Sequence, residues 1–270
     1  MKKLIAIFSV LLVLSSCSEF QKALKSEDIK TKFDLGIKLY EEGKFNKANR
    51  LFAQIVPNYR GKPQAEKLMF MYSNTFYMMR DYHISGYQFD RFTNAYANSE
   101  KVEEAAFLAA KSYYMLSPVH SKEQKETYEA IDKLQLFINK YPESDKLAEC
   151  NAMVKELNAK LERKAFEIAK QYNITARVAI DYEACIKSMD NLLLEYPGTA
   201  FREDALFWKL DSEFKLATNS IERKKADRTE KGIEFYNAFK KIAQKPELIE
   251  AADKMYAELI EIKSLNDIKS

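Results

Sequence analysis

Apolar residues recur at helical spacing along most of this chain, and the clearest stretch runs from Phe166 to Thr199. Phe166, Ala169 and Tyr172 share one face of a first arm; Ile180, Cys185, Met189, Leu192 and Leu193 share one face of a second. The break at Ile174–Ala176 has room only for a tight turn, which predicts an antiparallel helical hairpin. Pro197-Gly198 ends the second arm, because proline cannot continue a helix and glycine accepts a left-handed cap. Within that arm a small residue, Cys185, is followed four, seven and eleven places later by Met189, Leu192 and Tyr196. The same offsets fit Ala48, Phe52, Ile55 and Tyr59, then Ser85, Phe89, Phe92 and Tyr96, then Ala130, Leu134, Phe137 and Tyr141. Gly232, Tyr236, Phe239 and Ala243 make a degenerate last copy. These offsets put all four positions on one helix face, and the small residue lets a partner helix come close.

The helices upstream of each copy repeat as well. Gly36, Ser73, Ala110 and Ala169 are each followed, three places on, by Leu39, Phe76, Tyr113 and Tyr172. Both faces together give the tetratricopeptide pattern of small and large residues. The copies lie 37, 45, 55 and 47 residues apart, longer than the usual ~34, so the excess goes into insertions and longer helices. The pattern predicts an all-α, tetratricopeptide-repeat solenoid of about five helical hairpins over residues 31–270, with a C-terminal capping helix at Glu247–Lys263 behind Pro246. Thr31–Tyr40 and Phe45–Val56 form the first hairpin around Gly43; the second turns at Arg80-Asp81. Residues 117–126 lack apolar periodicity and read as a surface loop. Leu147, Cys150, Val154, Leu157 and Leu161 carry a helix face straight into Phe166, predicting either one long helix or a kink near Ala159.

The first residues follow a different rule. Lys2 and Lys3 precede an apolar run, Leu4–Leu14, too short to span a bilayer, and the run ends in Leu14-Ser15-Ser16-Cys17. This is similar to the lipobox of bacterial lipoproteins, in which the leader (residues 1–16) is cleaved before the cysteine and the Cys17 sulfur takes a diacylglyceryl group. A second, amide-linked chain on the new N-terminus supplies the two acyl signals that stable anchoring needs. Ser18, where an aspartate is absent, resembles lipoproteins sent to the outer membrane. Residues 17–30 are then an acylated N-terminus and polar tether.

Composition narrows the function. Six Gly and six Pro in 270 residues leave few sheet turns, while 47% hydrophobic and 31% charged residues describe a folded chain with solvated outer faces. Loss of Lys2 and Lys3 leaves 41 basic residues against 40 acidic ones, and the basic spots at Arg223–Lys225 and Lys240-Lys241 are interleaved with acids, unlike a nucleic-acid footprint. No nucleophile elbow, P-loop or dinucleotide fingerprint occurs. The two histidines, His83 and His120, sit near loops and far apart, and Cys150 and Cys185 are lone thiols on apolar faces. The chain therefore reads as no enzyme, with no metal and no cofactor. Even in an oxidising compartment, Cys150 and Cys185 lie too far apart along antiparallel helices to reach the ~7 Å that a disulfide requires, so both are expected reduced.

A lipobox followed by five long tetratricopeptide hairpins resembles the BamD family of outer-membrane lipoproteins. The likeness rests on Leu14–Cys17, on F-D-L-G-I-K-L-Y-E-E-G-K-F from Phe33, on F-E-I-A-K-Q-Y from Phe166, and on the exits Y-P-E-S at Tyr141 and Y-P-G-T at Tyr196. Tyr96-Ala-Asn-Ser lacks the proline of the other exits, and Ser85 replaces the usual alanine. The resemblance implies a lipid-anchored scaffold on the periplasmic face of the bacterial outer membrane, within the machinery that assembles outer-membrane β-barrel proteins. Its partners would be a BamA-like barrel protein at the C-terminal repeats and nascent, unfolded outer-membrane proteins at the N-terminal repeats; nucleic acid is not among them. A concave groove holding an extended peptide with an aromatic end would be lined, by matching position, by Phe33, Tyr40, Phe70, Asn74, Tyr77 and Tyr114. The alternative is another tetratricopeptide outer-membrane lipoprotein that organises envelope complexes or serves a transporter; transporter partners are usually far longer and Trp-rich, whereas this chain has one Trp.

Overall fold

The computed structural model describes the backbone of residues 19–179 and 181–269, with side chains for all of these except 177–179 and 266–269. Among them every regular element is a helix. Residues 19–25 are helical (α1), followed by α2 (Ile29–Glu41), α3 (Phe45–Tyr59), α4 (Ala65–Met78), α5 (Tyr82–Ala95), α6 (Val102–Leu116) and α7 (Lys125–Lys140). Next come α8 (Leu147–Ala179), α9 (Glu183–Glu195), α10 (Arg202–Thr218), α11 (Glu222–Lys240) and α12 (Pro246–Lys269). The contacts divide the chain into two compact units: the described residues up to Pro118 with Lys122–Leu157, and Val119–Ser121 with the described residues from Asn158 on.

In the first unit, short connections force antiparallel pairs. Gly43 turns α2 into α3 at φ 73°, a left-handed conformation that glycine adopts without strain. Arg80 makes the corresponding turn between α4 and α5 at φ 63°, a region that side chains other than Gly, Asn and Asp rarely take. Asp28 caps α2 by accepting from the N–H groups of Lys30 and Thr31, and Asp81 caps α5 by accepting from Ile84. The repeated face is the core. Ala48, Phe52 and Ile55 on α3, Ser85, Phe89 and Phe92 on α5, and Ala130, Leu134 and Phe137 on α7 are all buried. The Ser85 hydroxyl is satisfied by Ser112 across the helix pair at 2.9 Å. The α7 face closes over Phe107, Ala110, Cys150, Met153 and Leu157.

The second unit repeats the arrangement. Cys185, Met189 and Leu192 on α9 pack with Phe166, Ala169 and Ala205, and α12 lays Ala252 and Leu259 against Phe207, Leu210 and Phe239. Gly232 of α11 sits under Leu259, whose Cδ1 lies 2.9 Å from where a Cβ would be. The fold is all-α, a tetratricopeptide-like packing of consecutive helical hairpins. Cys150 and Cys185 are both free and buried.

Four expectations need correction. The polar tether over 17–30 is folded from residue 19: Phe20 and Ala23 are buried in the α2–α3 core, and Lys47 and Arg50 sit over the Phe20 ring. The turn placed at Ile174–Ala176 is helix, and α8 runs unbroken from Leu147 to Ala179. Thr175 is accommodated because its hydroxyl donates back to the Gln171 carbonyl at 2.8 Å, and Ala176 packs with Tyr182 and Leu216. Tyr172 is 44% exposed, while its neighbour Asn173 takes the buried place because polar partners wait there: its Nδ2 donates to Asp211 and Ser212. Finally, Gly198 is not in the left-handed region, so the exit after α9 turns without that glycine's special freedom. Residues 117–124 do form a connection, but a tied one: Gln124 is buried and accepts from Thr127, whose hydroxyl also meets that of Ser117.

Candidate functional site

Helices α2, α4 and α6, the first arms of three successive hairpins, present half-buried aromatic and polar side chains on one side of the first unit. Tyr40, at the end of α2, accepts a hydrogen bond from Asn74 Nδ2 of α4. One turn before Asn74, Phe70 packs edge-on against Phe89 and Phe92 of α5, with ring centroids 5.7 and 5.6 Å away. Tyr77 lies one turn beyond Asn74, edge-on to Tyr82, and its burial pushes the phenol pKa up. On α6, Tyr114 donates to Glu156 of α8 at 2.6 Å, and Lys111 pairs with Glu149 at the same distance. The hydrogen bond to Glu156 leads the causes that raise Tyr114 to about 12. The pairing likewise holds the Lys111 ammonium above its ordinary value.

Tyr40 and Phe70 share a cleft of about 490 Å³ with Pro63, Glu66, Lys67, Met71 and Lys101. The Lys101 ammonium sits 5.5 Å above the Phe70 ring and pairs with Glu104 at 2.8 Å, a contact that raises its pKa. Ser99 donates to Glu66 across the same rim. The cleft therefore combines an apolar, ring-faced floor with two lysines and one carboxylate at its edge. Such a surface takes a ring or branched side chain on the floor and an anionic or carbonyl group at the lysines.

Of the six groove residues the sequence points to, the structure brings Tyr40, Phe70 and Asn74 together and places Tyr77 and Tyr114 on the flanking turns. Phe33 is a correction: it is 5% exposed and stacks on Tyr59 of α3 at 5.1 Å, so it belongs to the core of the first hairpin. The residue missed is Lys101. It lies in the connection before α6, where no helical periodicity marks it, and only the fold carries its ammonium onto Phe70 of the preceding hairpin. Cys17, the lipidation position, lies outside the described residues. His83 is exposed at the start of α5, and His120 lies in the connection before α7. Among the described residues no helix is long and apolar enough to cross a membrane.

Comparison with known proteins adds a family to this geometry. A sequence model for YfiO, described as outer membrane lipoprotein, matches residues 26–228, a span that takes in every helix from α2 to α10. A search among curated proteins finds no significant match. The match covers well over half of the chain, and it includes the α2, α4 and α6 face, the Lys101 connection and the long α8. The chain belongs to the YfiO family of outer membrane lipoproteins.

Proposed function

We propose that this protein is a BamD-type scaffold of the machinery that assembles β-barrel proteins in the outer membrane. It is anchored by lipid on Cys17, faces the periplasm, contacts a BamA-like barrel protein and receives unfolded outer-membrane proteins. The observation that carries the reading is the cleft of Tyr40, Phe70 and Lys101 in a chain of an outer-membrane lipoprotein family. An unfolded barrel strand that ends in an aromatic residue offers a ring, alternating apolar side chains and a terminal carboxylate. Phe70, Tyr40 and Met71 suit the ring, and Lys101 and Lys67 suit the carboxylate. Such binding needs no reactive group: the scaffold role is positional, holding a chain end beside the protein that inserts it.

A photo-crosslinking side chain at position 70 tests this. In the full chain, it should capture a peptide with a C-terminal phenylalanine and free carboxylate, and capture should fall with the C-terminal amide. Lys101→Gln should weaken capture of the acid and leave the amide unchanged. Equal capture of both peptides, or none, would contradict the reading.

A further inference from the structure

The lipobox cysteine and the folded domain are almost contiguous. Helix α1 begins at residue 19, two places after Cys17, and two residues of extended chain span at most ~7 Å. Helix α1 is no spacer. Its Phe20 and Ala23 are each 3% exposed in the core formed with α2 and α3. The Lys47 ammonium and the Arg50 guanidinium of α3 lie 5.6 and 5.4 Å from the centre of the Phe20 ring. A cysteine that carries acyl chains into a bilayer sits at the level of the headgroups. With Cys17 acylated, the corner where α1 meets α3 is therefore held beside those headgroups, with no linker to release it.

The charge of that corner has a sign. Glu19, the one carboxylate on α1, faces Lys38 of α2 at 3.8 Å. Lys22 and Lys25 on the same helix are exposed and form no ion pair among the described residues. Across the Phe20 ring, Arg50 is exposed and equally unpaired. Lys47 acts only at a distance on Glu42, whose direct partner is Lys44 at 2.7 Å. Over residues 19–50, eight basic residues stand against six acidic ones, whereas the chain from Cys17 onward is nearly balanced at 41 against 40. The positive excess of the domain thus gathers at its α1 end. At physiological salt a charge is felt over only ~8 Å, so cations pinned this close to headgroups act on them while distant ones do not.

We propose that the α1–α3 corner is a docking surface for anionic phospholipid headgroups, met by Lys22, Lys25, Lys47 and Arg50. The inference rests on the reading of Cys17 as the acylated residue. That reading also names the occupant: whatever lies beside an acylated cysteine is the bilayer surface, and juxtamembrane cations are drawn to its anionic lipids. The acyl chains then set the distance of the domain from the membrane, and the basic corner sets which side of the first hairpin faces it. A polar tether would let the domain turn freely above the bilayer. The burial of Phe20 and Ala23 removes that freedom.

The test uses the full-length processed protein in vesicles of phosphatidylcholine, with or without phosphatidylglycerol, that carry a quencher on a fraction of their headgroups. A dye is placed on Asn46→Cys, exposed beside Lys47 on α3, or on Asn139→Cys, exposed on α7 two hairpins away. Cys150 and Cys185 are buried, and the Cys17 sulfur is consumed by its thioether, so each dye reports one position. Position 46 should lose fluorescence in the mixed vesicles and lose less in the neutral ones or at high salt, while position 139 keeps its signal. Lys22→Gln with Lys25→Gln, both on the exposed side of α1, should reduce the loss at position 46. The inference is overturned if the acylated protein shows no loss at position 46, or the same loss at both positions, in both kinds of vesicle or in the double variant. Mass spectrometry of the same sample keeps the two readings apart: absence of the acyl mass would overturn the anchor itself and this inference with it.

Discussion

At the scale of single residues, the tightest contacts are those that admit no side chain at all. A Cβ on Gly36 would lie 2.5 Å from Cε1 of Phe52, a ring that is itself fully buried. Alanine is the better helix former by about 1 kcal/mol, yet the ring has no room to retreat, and overpacking costs about 1–3 kcal/mol. Gly36→Ala should therefore lower stability in denaturant unfolding, whereas Gly198→Ala, with nothing within 4 Å of the added carbon, should not. The sequence marked Gly36 as a small position; only the structure identifies Phe52 as the reason. Two tyrosines give a second residue-scale expectation. Tyr113 is raised to about 12, first by burial and then by Asp90; Tyr114 reaches about 12 through Glu156. A phenol that ionises near 10 when unfolded and near 12 when folded adds stability present in full below the lower value and lost as pH climbs through the upper one. A phenolate absorbance titration should show a late-ionising fraction that includes both rings, and Tyr114→Phe should shrink it.

At the scale of helices, the repeated offsets located the second arms to within a few residues. The reason is physical: a face that must be buried at every turn leaves a regular trace. Ala130 is fully buried in the α6–α7–α8 cluster, so Ala130→Phe should destabilise by about 1–3 kcal/mol or more, read as a lower thermal midpoint. An unchanged midpoint would contradict the assigned register. The first arms were less legible where polar groups are buried. Asn173, just before the expected break, joins Asp211, Ser212 and Lys215 in a network, with Lys215 Nζ donating to Asn173 Oδ1 at 3.0 Å. Polar groups that find partners across helices erase the local signal for a break, and for this reason the turn at Ile174–Ala176 was misplaced. Helix α1 was hidden for the opposite reason. Phe20 and Ala23 are too few to make a periodicity, and they become core residues only against α2 and α3. The aromatic cleft was partly legible in the same way: Tyr40, Phe70 and Asn74 follow from helix register, but Lys101 depends on where a connection passes.

At the scale of the whole molecule, the anchor proposed on Cys17 precedes the repeat domain in sequence. Cys17→Ala should abolish acylation and leave the leader uncleaved, and metabolic labelling with a clickable fatty acid reads both through label and gel mobility. Full label on the variant would contradict the anchor. The family match supports an outer-membrane lipoprotein, and the cleft on α2, α4 and α6 supplies a surface suited to a chain end. The central claim is that this scaffold works within the barrel-assembly machinery. Its most direct test is isolation of the tagged, full-length protein from detergent-solubilised outer membranes, with mass spectrometry of what accompanies it. The account predicts a barrel protein with periplasmic repeats of the BamA type as a stoichiometric companion. A transporter in that place, or no companion at all, would contradict it.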